Sequence, residues 1–151
     1  MGTRPVKTRS TSHATDSAKA TEALAAALAL ELRPGQCIAL DGDLGAGKTQ
    51  FVRGLLTGLG GRPRTVNSPT FCLLNVYDTG RLKLFHLDAY RIGPVDLESI
   101  GFSELLEQGG IVAIEWSSRV TDALPPSRIQ VTIETTGPLT RQIQIIRPAE
   151  L

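Results

Sequence analysis

The chain has 151 residues, a formal net charge of +1 and a pI near 7.8, enough for one domain with a substantial core and too short for a second of ordinary size. The near-neutral balance argues against nucleic-acid binding by bulk positive charge, which shows as a strongly basic face or stripe. Two cysteines, Cys37 and Cys72, lie in apolar strand-like stretches without Cys or His partners at metal-ligand spacing, and no apolar run nears the roughly 20 residues of a membrane span, so a soluble cytoplasmic protein with core thiols is expected.

The first 15 residues are expected to be a disordered tail, because Arg4, Lys7 and Arg9 stand among Thr and Ser with little apolar surface to bury. A transit peptide shares that composition but would be longer and amphipathic. A single domain is then expected over residues 16–151. Residues 16–31 place Leu24, Ala25 and Leu28 at helical spacing, Leu32 continues the series, and Pro34-Gly35 closes that first helix. The apolar run 37–40 predicts a strand.

Directly after it, residues 42–49 read GDLGAGKT, a full match to the phosphate-loop pattern G-x-x-x-x-G-K-[ST] in its strand-to-helix setting. Gly42, Asp43, Leu44, Gly45, Ala46 and Gly47 supply a turning backbone whose N–H groups can cradle phosphate oxygens. Lys48 can reach terminal phosphates and Thr49 can ligate magnesium. Phe51, Val52, Leu55, Leu56 and Leu59 then predict a helix over residues 50–59, whose positive N-terminal end adds to the attraction for anions. Arg53, Arg62 and Arg64 follow and read as a solvated face.

Further along, Ser68-Pro69-Thr70 is either a turn that launches a strand or a loop whose hydroxyl senses a terminal phosphate. Residues 71–77 and 82–87 predict an antiparallel hairpin, residues 94–99 and 102–107 two short helices, and residues 111–114 a buried strand. A second hairpin is predicted from residues 128–135 and 139–146 around Thr136-Gly137-Pro138. Helices alternating with strands early and hairpins later imply an α/β fold: one P-loop NTPase-like domain with a mixed central sheet, β-hairpins and flanking helices.

Asp88 and Glu115 each end an apolar run, the sheet edge where α/β folds bind ligands, so at least one is expected to serve the nucleotide site. His86, Asp88, Tyr90 and Arg91 form a compact group, HLDAYR, in which His86 and Asp88 share a strand face. It could orient water or offset phosphate charge, or be only a polar strand end. Trp116, the sole tryptophan, reads by default as core packing.

Taken in order, GDLGAGKT, SPTF at residues 68–71, HLDAYR at 86–91 and IEW at 114–116 make the chain resemble the TsaE family, formerly YjeE, over residues 17–146. The resemblance implies a small ATPase that works with TsaD and TsaB to make threonylcarbamoyladenosine beside the anticodon of tRNAs reading codons that begin with A. It implies that Lys48 holds phosphates of ATP, Thr49 and Glu115 ligate Mg2+, Asp88 assists hydrolysis, Thr70 belongs to a switch-like loop, and Trp116 sits beside the nucleotide. It also implies an adenine contact at Thr21, although here Ala20 precedes that residue where a Glu-Thr pair is frequent. Gln50 and Asn67 are milder departures. Other uses of such a loop are a small-molecule kinase or a nucleotide-gated binding module with negligible turnover.

Overall fold

A computed structural model of the chain describes residues 7–43, 45–63, 66, 74–80 and 82–149. Seven strands form one sheet in the order β1-β7-β6-β2-β5-β4-β3. Its centre is parallel: β2 (Cys37–Gly42) lies between β6 (Ile129–Thr135) and β5 (Ile111–Glu115), and β4 (Lys83–Asp88) follows β5. The two hairpins extend this centre outward, β3 (Leu74–Asp78) pairing antiparallel with β4, and β7 (Arg141–Pro148) with β6. Both hairpins are those the sequence predicts, although residues 71–73 of the first expected arm lie outside the described residues.

The outer strand β1 (Thr8–Thr15) overturns the expectation of a disordered tail for the residues it contains. It pairs antiparallel with β7 from Thr8 opposite Pro148 to Thr15 opposite Arg141. Main-chain hydrogen bonds to an open sheet edge hold it, so it needs few apolar side chains, and composition carries no trace of that. The sheet therefore begins before residue 16.

Helix α1 (Ala18–Ala29) starts where Ser17 Oγ accepts a hydrogen bond from Ala20 N–H at 3.0 Å, a side-chain N-cap. It and α2 (Lys48–Gly58) cover one face of the sheet. They cross closely: a Cβ on Gly54 would come within 2.2 Å of the Glu22 carbonyl oxygen, and one on Gly58 within 2.5 Å of that of Ala26. The opposite face is covered by α3 (Pro94–Ser99), α4 (Phe102–Glu107) and two short 3-10 turns, Ser117–Arg119 and Thr121–Ala123. The period-2 alternation of strands sorts the core between these layers, Ile38 and Leu40 facing α1 and α2 while Cys37 and Ala39 face α3 and α4. Burial pushes the Cys37 thiol up to about 12, as expected of an inert core cysteine.

Candidate active site

The loop after β2 bends as its glycines demand. Gly45 (φ 79°) and Gly47 (φ 110°) occupy left-handed backbone that L side chains rarely adopt, and a Cβ on either would meet no atom within 4 Å, so the space before them is open. Gly42 is required for the opposite reason, because a Cβ there would stand 2.6 Å from the Ile133 carbonyl oxygen on β6. Helix α2 opens at Lys48 with no side-chain cap, leaving the first N–H groups and the positive helix end for an anion.

Lys48 is only 5% exposed. Its Nζ donates to the carbonyl oxygens of Gly42 at 2.6 Å and Asp43 at 3.0 Å, and lies 4.0 Å from the centre of the Trp116 ring. Burial lowers the Lys48 pKa, and Glu115, Asp41, Asp88 and Asp43 oppose that fall with their negative charge. Next to it, Thr49 Oγ1 donates to Glu115 Oε2 over a long 3.4 Å.

The two strand-end acids are neighbours. Asp88 and Glu115 stand opposite each other in the parallel β4–β5 register, each 3% exposed. Asp88 Oδ1 accepts from Tyr90 N–H at 2.8 Å, which fixes the turn that leaves β4. Glu115 Oε2 is also hydrogen-bonded to His86 Nε2, and His86 is fully buried on the same strand face as Asp88. Sequence had left the HLDAYR group with two readings open; the fold puts its histidine on the carboxylate that faces Thr49.

Trp116 is not simply core. It is the one non-glycine residue with positive φ (58°) among the described residues, a conformation that costs about 1–2 kcal/mol. That turn lays its ring on Lys48, with the Tyr90 ring 4.9 Å away and the Arg119 guanidinium 4.7 Å beyond that on Tyr90. Thr21 is buried, shares a 2.9 Å hydroxyl contact with Thr15, and lines a cavity of about 180 Å3 beside the loop with Gly45, Gly47, Leu139 and Arg141. Leu44 and Thr70 lie outside the described residues.

Arg141 is a residue that sequence reasoning missed. Its Nε donates to Ala46 O at 2.9 Å and a terminal nitrogen to Gly45 O at 3.3 Å, while the other terminal nitrogen holds Gly137 O at 3.0 Å. It thus straps the outer, carbonyl side of the loop to the β6–β7 turn. It belongs to no local motif, since its loop partners lie some 95 residues earlier in the chain.

The parallel centre, the glycine loop opening α2, and the acids on adjoining strand ends define a P-loop NTPase-like domain. Comparison with known proteins narrows this. The family described as Threonylcarbamoyl adenosine biosynthesis protein TsaE matches residues 15–143, and the chain belongs to that family. The tRNA threonylcarbamoyladenosine biosynthesis protein TsaE of Bacillus subtilis is 40% identical over 123 residues, covering 82% of this chain and 77% of the relative. Its namesake in Nostoc sp. is 43% identical over 119 residues, covering 76% and 72%. A crystal structure of Bacillus subtilis YdiB superposes with a TM-score of 0.78 at 30% identity, covering 95% of this chain and 88% of the other.

Proposed function

We propose that this protein binds and hydrolyses ATP with Mg2+ in the cytoplasm, acting with TsaD and TsaB in forming threonylcarbamoyladenosine on tRNAs that read codons beginning with A. The observation that carries the reading is the convergence of Lys48, Thr49, Asp88 and Glu115 at the mouth of loop 42–49. Together these residues supply a cation for phosphate oxygens, two oxygen ligands for a hard metal, and a second carboxylate beside them.

On this reading the triphosphate enters the open space before Gly45 and Gly47, and Lys48 exchanges its two carbonyl contacts for phosphate oxygens. Thr49 and Glu115, one hydroxyl and one carboxylate, would hold magnesium at the mouth of the loop. Magnesium held there would supply positive charge to offset the charge building on the phosphate oxygens. Asp88, anchored through one oxygen by Tyr90 N–H, orients the attacking water. The cavity beside Thr21 and Leu139 takes the adenine, and Trp116 flanks the nucleotide once Lys48 has left its face.

ATP hydrolysis by the purified protein, alone and with TsaD and TsaB, tests this against a panel of small phosphate acceptors. Partner-stimulated release of inorganic phosphate is expected, lost in Lys48→Ala; Asp88→Ala is expected to bind ATP without turnover. Phosphate on a small acceptor would make the protein a kinase, and binding without turnover under every condition would make it a nucleotide-gated module.

A further inference from the structure

We infer that His86 is a positioning residue for Glu115, holding that carboxylate where it can meet a magnesium–phosphate complex; the inference rests on the function proposed above. His86 stands opposite Ala113 in the β4–β5 register, two residues before Glu115. Successive alternate residues share a face, so the imidazole and the carboxylate are diagonal neighbours on the side of the sheet that α2 covers. Nε2 of His86 and Oγ1 of Thr49 both address Oε2 of Glu115, one from β4 and one from α2. The other carboxylate oxygen takes no hydrogen bond from a described residue.

The two ring nitrogens of His86 meet different surroundings. An ionised carboxylate only accepts, so Nε2 carries the hydrogen. Nδ1 is buried and has no partner among the described residues. The ring is fully buried, with Leu84 and Ala113 in the surrounding core and the Tyr77 ring 6.3 Å away. An apolar side chain would fill such a place without stranding a nitrogen. What only histidine supplies is the Nε2–H on Glu115, the kind of outer hydrogen bond that orients a metal-binding carboxylate.

The test is the affinity for ADP, followed through Trp116 fluorescence, in excess magnesium and in EDTA. Wild-type protein is expected to bind more tightly with magnesium. His86→Leu is expected to lose about tenfold of that magnesium-linked gain with its EDTA affinity unchanged. His86→Gln, whose amide nitrogen reaches the Nε2 position, restores most of the gain, whereas His86→Asn, which reaches only the Nδ1 position, does not. The Gln and Asn pair carries the same test should the leucine variant fail to fold. Equal losses in both conditions, or an undiminished magnesium gain in His86→Leu and His86→Asn, would overturn the inference and leave His86 as packing. A wild-type affinity indifferent to magnesium would overturn the metal reading itself, and this inference with it.

Discussion

The two ends of the sheet differ in what they bury. At the loop end lie all the buried polar side chains of the described residues: Thr15, Thr21, Lys48, His86, Asp88, Glu115 and Ser117. The opposite end, where α1 stops and β7 finishes, has the larger cavity, about 560 Å3 against 180 Å3, yet its Arg9, Glu31 and Arg33 are exposed. Its Arg147–Glu31 ion pair leaves the carboxylate half in solvent, where such a pair is worth under about 1 kcal/mol. Cavity size and chemical commitment therefore point to different places. Burying charge costs several kcal/mol per group unless partners compensate, so the end that tolerates this burial is the better guide to function.

Lys48→Ala would test that contrast most severely. Hydrolysis is expected to fall by about a hundredfold or more, while the melting temperature holds or rises because a desolvated cation has been removed. Full turnover in this variant would remove the loop end's claim. Gly54→Leu probes the framework beneath it: with so little room against Glu22 and Ala25, overpacking should cost about 1–3 kcal/mol in denaturant unfolding. Unchanged stability would mean that the α1–α2 crossing relaxes freely.

A matched pair of arginines sharpens the comparison further. Arg141→Ala removes charge-assisted bonds to loop carbonyls, so nucleotide affinity should drop about tenfold, whereas Arg147→Ala at the other end should leave it unchanged; calorimetry on both would show whether the two ends act independently. The smallest effect is expected at Cys37. Its raised pKa means that stability from the neutral thiol is fully present below pH 9.0 and lost as the pH climbs through about 12. In a Cys72→Ser background, a thiol reagent at neutral pH should label Cys37 only after unfolding.

Legibility in the sequence followed the range of the interaction. The turn at Gly45 and Gly47 into α2, the two short helices and the parallel-strand run into Glu115 were all local patterns, and they appear where the residues predicted. Strand β1 was not legible because an edge strand held by main-chain pairing needs no apolar signature. Arg141 was invisible for a related reason: its partners are backbone carbonyls, which look the same in every sequence.

The sequence alone specified a glycine-rich turn between a strand and a helix, and which acids end buried strands, because backbone conformation and side-chain periodicity act over a few residues. Tertiary structure alone decided that Asp88 and Glu115 adjoin, that His86 hydrogen-bonds Glu115, that Trp116 turns against Lys48, and that Arg141 reaches back to the loop. Those contacts depend on strand order and register, which arise only when separate elements find a common core.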